Sequence, residues 1–152
     1  MFDDEYFMQR ALKLAKQAKK ENEIPVGAVI VKDNQIIAEA YNQKDSLKLV
    51  TKHAELIALE RASNMINDWR LYDTTMYVTL EPCPMCAGAI QQSRIKRLVY
   101  GCSSNVEDNS KIIEQILCNN KFNHQVLVDN GILEKECSKI IKDFFKSKRS
   151  NN

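Results

Sequence analysis

The sequence predicts an α/β protein, a mixed sheet of five strands with helices on both faces. Two observations carry this expectation. Short apolar runs of strand length alternate with longer segments whose apolar residues return at helical spacing. The first two strands are joined through Asp33-Asn34, a turn dipeptide, so the sheet opens with an antiparallel hairpin.

In chain order, Tyr6 to Lys20 places Phe7, Met8, Ala11, Leu12, Ala15 and Ala18 on one face of an amphipathic helix with lysines outside. Ile24-Pro25 ends it, and Val26 to Val31 reads as a largely buried strand. Gln35 to Tyr41 returns as its partner, and Asn42 opens a polar loop to about Val50. His53 to Met65 contains no helix breaker and carries Ala54, Leu56, Ile57, Ala58 and Leu59, with Thr51 as its expected cap. Met76 to Leu80 is a short strand closed by Glu81-Pro82. Cys83 to Ser93 is helical, with Pro84 in the first turn, where a missing N–H costs least. Arg97 to Gly101 is a strand, Cys102 to Ser110 a polar loop, Lys111 to Cys118 a helix and Gln125 to Val128 the last strand. After the Asn130-Gly131 turn, Leu133, Cys137, Ile140, Ile141 and Phe144 mark a lysine-rich C-terminal helix, whose tail from Ser147 is expected to fray.

A chain of 152 residues, 44% hydrophobic and 28% charged, suits one domain with a real core. A net charge of +2 is too small to mark a general polyanion binder. A nucleic-acid surface would have to come from local clusters such as Arg94 to Arg97 and Lys146 to Arg149. Met1 to Glu5 is acidic and lacks the basic and apolar regions of a leader, and no apolar run approaches the ~20 residues of a membrane helix. The expected compartment is therefore the cytoplasm. Five cysteines, an odd number, argue against a full disulfide framework. Cys102, Cys118 and Cys137 are expected to be small, reduced core residues.

The chemistry gathers at His53, Glu55, Cys83 and Cys86. Two cysteines spaced Cys-x-x-Cys can aim both sulfurs from the first turn of a helix at one point. A histidine from elsewhere completes three protein ligands and leaves a fourth zinc position open, the pattern of a catalytic site rather than a structural one. The helix N-termini predicted at His53 and at Cys83 favour the thiolate forms. In such a site zinc acidifies a water, and Glu55, two residues from His53, is placed to carry its proton to a leaving group. The set suits hydrolytic loss of a nitrogen leaving group from an electrophilic carbon.

His53-Ala54-Glu55 followed by Pro82-Cys83-Pro84-Met85-Cys86 resembles the cytidine/deoxycytidylate deaminase superfamily, whose zinc nucleobase deaminases share this pattern. The resemblance is greatest to the bacterial tRNA-specific adenosine deaminases, and it extends along nearly the whole chain. It includes Ile24 to Ala28, Asn42, Trp69 to Leu71, Tyr77 to Gly88, Ser93 to Ile95, Phe122 to His124, Gly131 to Leu133 and Asp143 to Phe145. It implies the three-layer cytidine-deaminase-like fold, one Zn2+ per subunit on His53, Cys83 and Cys86, and Glu55 as proton shuttle. It also implies Val26 as pocket wall, Asn42 and Asn123 as nucleotide contacts, a homodimer, and a tRNA anticodon loop bound near the subunit interface, with the wobble adenosine as target. Phe145, at the edge of the terminal apolar stripe, suits stacking on an unpaired base or packing between subunits. For His124 a substrate contact and a capping role stand level.

The chain departs from that pattern after Gly101. Ser104 stands where the family has an Asp, and the family's glycines are absent from Cys102 to Ser110. Two rival readings follow. One is a deaminase of free nucleobases or nucleosides, such as guanine or cytosine, which would not need Asn123, Phe145 or a basic C-terminus. The other is a non-catalytic zinc-binding RNA module, which would not need Glu55.

Overall fold

The computed structural model describes residues 1–150. Helix α1, Asp4–Lys20, starts where Asp3 accepts the Tyr6 N–H, with acids in its first turn and lysines in its last, as the helix dipole favours. It buries the six apolar residues that its periodicity singles out. Strands β1, Gly27–Lys32, and β2, Gln35–Tyr41, form the opening hairpin. Asp33 and Asn34 both take positive φ, 51° and 60°, which is the twist a two-residue hairpin turn requires.

The other strands are β3, Thr74–Leu80, β4, Arg97–Cys102, and β5, Leu127–Asn130. The sheet runs β2-β1-β3-β4-β5, antiparallel on the hairpin side and parallel from β3 to β5. Helices α3, Ala54–Ile66, α4, Pro84–Gln92, and α5, Asn109–Leu117, form one neighbouring set against the sheet. Helix α1 and α6, Glu134–Ser150, pack together on the strands from the other side. This is the three-layer α/β arrangement expected. The core is continuous across both faces, and each fully buried side chain such as Ile30, Met76 or Leu98 contributes about 1.5–3 kcal/mol.

Gly27 has a steric reason. A Cβ there would sit 2.0 Å from the Ala11 carbonyl oxygen, so only glycine lets α1 lie directly on β1. Arg97, at the start of β4, ties down the N-terminus of the same helix. Its guanidinium makes two 2.8 Å bonds to Asp4 and one to Asp129, and the Tyr77 hydroxyl donates to Asp4 at 2.6 Å. Of the Arg94–Arg97 cluster, this arginine therefore serves carboxylates of its own chain.

Several boundaries differ from expectation, each for a local reason. The polar stretch after Asn42 contains a short helix, α2, Lys44–Leu47, held by buried Glu23, which accepts from the Asp45 and Ser46 backbone and the Ser46 hydroxyl. Thr51 does not cap α3; His53 occupies the cap position with extended backbone and turns its ring to the cysteines instead. Helix α5 begins at Asn109, earlier than Lys111, because the Asn109 side chain is bonded inward. Val126 is bonded to Leu117 rather than to the sheet, so β5 starts only at Leu127. The helix α6 continues through Ser150, past the expected fraying point, because Lys148 reaches Asn22 and lies 5.5 Å over the Phe144 ring. Residues 151–152 of that tail lie outside the described residues. Cys102 and Cys137 are buried as expected, but Cys118 is exposed, since it stands at the C-terminus of α5.

Candidate metal centre and active site

The site lies at one end of the sheet, where three strand termini meet. Strand β3 ends at Leu80, and the next residue, Glu81, donates its N–H to the Cys102 carbonyl at 2.8 Å, at the end of β4. Pro82 follows, then Cys83 at the cap of α4 with Pro84 as the first helical residue. On the other side Val26 and Asn42 flank the β1–β2 pair, joined by an Asn42 N–H to Val26 carbonyl bond of 3.1 Å. Ligands in α/β proteins commonly bind outside such carboxyl ends, where helix N-termini converge.

Two of those N-termini supply the donor atoms. The His53 Nδ1 lies 3.7 Å from Cys83 Sγ and 3.5 Å from Cys86 Sγ, and His53, Cys83 and Cys86 form the metal-ligating cluster of the described residues. Tetrahedral zinc with bonds of ~2.3 Å to sulfur and ~2.0–2.1 Å to nitrogen separates such donors by about 3.6 Å. The donor set therefore fits zinc, with three protein ligands and a position left for water or substrate.

The electrostatics divide the labour. Cys83 is held down to about 4, chiefly because the Cys86 thiol donates to it and then because His53 does. Cys86 moves far upward, because it keeps the proton shared with Cys83 and because it is buried. The two thiols are pushed in opposite directions, and metal binding, which needs both sulfurs as thiolates, releases protons. His53 is raised by its bond to Cys83 despite burial. Glu55, in the first turn of α3 and 4% exposed, is pushed up to about 7. Burial is the main cause and the Cys83 thiolate adds to it, against a lowering bond to its own backbone. A carboxyl poised near neutrality can both accept and release a proton.

Beside these residues is a cavity of about 360 Å³. Val26, Asn42, Lys44, His53, Glu55 and Cys83 line it, together with Glu81, Ser104, Val106, Asn109 and Ile112. The Asn42 amide makes only long bonds, 3.4 Å to the Ile24 carbonyl and 3.4 Å from the Lys44 N–H, so its polar atoms are loosely engaged. A larger groove of about 740 Å³ runs between α1 and α6, lined by lysines together with Glu5, Glu136 and Asp143. It contains none of the metal-ligating residues, and donor chemistry rather than volume identifies the site.

Of the residues named from sequence, His53, Glu55, Cys83, Val26 and Asn42 line this cavity, and Cys86 joins His53 and Cys83 in the metal-ligating cluster. Asn123 and Phe145 do not line it. Asn123 is exposed in the segment between α5 and β5, and Phe145 is exposed on α6, edge-on to buried Phe144 at 5.4 Å. The His124 imidazole is bonded to the Ile95 carbonyl at 2.7 Å, which gives it a structural partner. Sequence reasoning singled out Ser104 only as a departure from the family pattern and assigned no role to Lys44, Glu81, Val106, Asn109 or Ile112. Nothing in their local sequence signals a pocket; they become neighbours only when the strands align.

A zinc-binding deaminase domain is the class that this fold and donor set define. The cytidine and deoxycytidylate deaminase zinc-binding region matches residues 1–102, and the chain belongs to this family. It is 42% identical over 144 residues to a tRNA-specific adenosine deaminase of Streptococcus pyogenes serotype M18, covering 95% of this chain and 91% of that protein. A solved structure from work on A-to-I editing by tRNA:A34 deaminases superposes with a TM-score of 0.81 at 36% identity, covering 89% of this chain and 98% of that one. A guanine deaminase from Nitrosomonas europaea superposes with a TM-score of 0.79 at 19% identity, covering 95% of this chain and 85% of that one, a likeness of fold alone. No helix is long and apolar enough to cross a membrane among the described residues.

Proposed function

We propose that this protein converts adenosine to inosine in RNA by zinc-dependent hydrolysis, with the wobble adenosine of a tRNA anticodon as its target. The observation that carries the reading is full-length similarity to tRNA-specific adenosine deaminases combined with an intact His53, Glu55, Cys83 and Cys86 set. Zinc on His53, Cys83 and Cys86 supplies the Lewis acidity that brings a water's pKa toward neutrality. Glu55 takes the proton that the attacking water loses and delivers it to the departing amino group, so adenosine and water become inosine and ammonia. Val26 contacts the base, and the Asn42 amide takes up a polar edge of the nucleotide. Burial of Glu55 keeps bulk water from competing for its proton.

Asn123 and Phe145 are assigned to the flanking nucleotides rather than to the reacting base, consistent with their exposure away from the cavity. A second copy of the chain is the proposed partner for the exposed apolar face near α3 and α4. Trp69 and Met85 are exposed there, and a Cβ on Gly88 would meet open space. A homodimer is expected by light scattering, and Met85→Glu should shift it toward monomer. The proposed compartment is the cytoplasm, which suits five free cysteines.

The test is incubation with an anticodon stem-loop bearing a wobble adenosine, and separately with free adenosine, guanine and cytosine. Inosine formed in the stem-loop alone supports the reading. Turnover of a free base or nucleoside in its place assigns the enzyme to small substrates.

A further inference from the structure

We infer that Glu81 is a positioning residue, which locks the 103–110 wall of the cavity to the segment that carries Cys83. The inference rests on the proposed reaction only for the substrate used to test it. Glu81 is 3% exposed and stands at the end of β3, two residues before a metal-ligating cysteine. Its Oε1 accepts from Ser104 Oγ at 3.1 Å and from Asn109 Nδ2 at 2.6 Å, and its Oε2 accepts from Ser110 Oγ. The Asn109 amide also donates to the Pro82 carbonyl at 3.1 Å. Ser104, Asn109 and Ser110 thus tie 103–110 to Glu81 and to that carbonyl, with Tyr100 facing the same cluster. The segment has no glycine, and its own cap residue, Asp108, makes no side-chain cap bond. Ser104, Val106, Asn109 and Ile112 from this region line the same cavity as His53 and Glu55.

One carboxylate therefore sets the spacing between the substrate wall and the metal ligands. A carboxylate accepts up to about four bonds, and charge-assisted bonds hold geometry better than neutral ones. Glu81 meets the substrate wall rather than the reacting atoms, so its loss should loosen binding more than it slows chemistry.

The experiment compares wild type, Glu81→Ala, Glu81→Gln and Ser104→Ala/Ser110→Ala in the zinc-loaded protein. In Glu81→Ala, amides of residues 103–110 should exchange with deuterium about tenfold faster, while those of α3 and α4 are unchanged and zinc content stays at the wild-type level. KM for the stem-loop should rise about tenfold with kcat within about threefold. Glu81→Gln keeps the shape and should fall between, and the double serine variant should reproduce part of the KM rise. Unchanged exchange in 103–110 overturns the inference. So does a kcat loss without a KM change, or a fall in melting temperature with KM unaltered. Should wild type leave the stem-loop unreacted, the substrate reading fails, and the exchange data alone decide the wall anchor.

Discussion

Two glutamates line the same cavity, both nearly closed to solvent, and their carboxyls are shifted in opposite directions. Glu55 is 4% exposed and pushed up to about 7; Glu81 is 3% exposed and held below the usual carboxylate range. Burial pushes both upward. At Glu81 the bonds from Asn109, Ser110 and Ser104 outweigh it, whereas at Glu55 a neighbouring thiolate adds to it. Depth of burial and the donors around a carboxyl together set its proton affinity. The proposed roles follow that contrast: Glu81, bonded by three side chains, as a strut, and Glu55, its carboxyl raised mainly by burial, as the proton carrier.

The sharpest way to break this contrast is Glu55→Gln. Turnover should fall by roughly 10²–10⁴-fold with zinc content unchanged, since only the proton carrier is lost. A variant keeping a tenth of wild-type kcat at full zinc loading would remove Glu55 from that role. Next in size is the effect of pH on the metal. Burial and the neighbouring Cys83 push the Cys86 thiol upward, so zinc binding should release a proton and affinity should strengthen as pH rises, by about tenfold or more per unit between roughly pH 6 and 8. Chelator competition across that range measures it, and a flat profile would mean that both sulfurs are already ionised.

Asn109→Ala probes the other carboxylate. It leaves Glu81 buried and short of a donor, which should cost about 1–3 kcal/mol by urea denaturation. Adding Glu81→Gln should recover part of that loss; additive costs would mean that the Asn109–Glu81 bond is not what Asn109 provides. The smallest effect is expected at Asp4, a carboxylate held down mainly by its bonds to Arg97 but partly open to solvent. Asp4→Asn should cost no more than about 1 kcal/mol at neutral pH. Its depressed pKa makes this contribution full above the unfolded value of about 4 and lost as pH falls below it. The Asp4→Asn and wild-type midpoints should therefore converge in acid, and a gap that persists there would locate the effect in packing.

Much of the fold was legible because it rests on periodicity. The apolar stripes of α1 and α6, the Asp33-Asn34 turn and the five strands all follow from local spacing. Boundaries shifted where a tertiary bond overrode a local signal, as at Asn109, Val126 and Lys148. The metal ligands were legible too, because two sulfurs three apart and a His-x-Glu are short-range patterns that their chemistry nearly dictates. Glu55 and Glu81 show where such reading ends. Each stands beside a metal ligand in sequence, and local sequence made one a shuttle and the other punctuation before a proline. What gives Glu81 its strength are Ser104 in the polar loop and Asn109 and Ser110 in the first turn of α5, a helix and a strand further along the chain. The sequence by itself determined which residues could hold zinc, because ligand identity is covalent chemistry. Only the tertiary structure decided which way each buried carboxyl is shifted, because that depends on its burial and on the donors that packing brings to it.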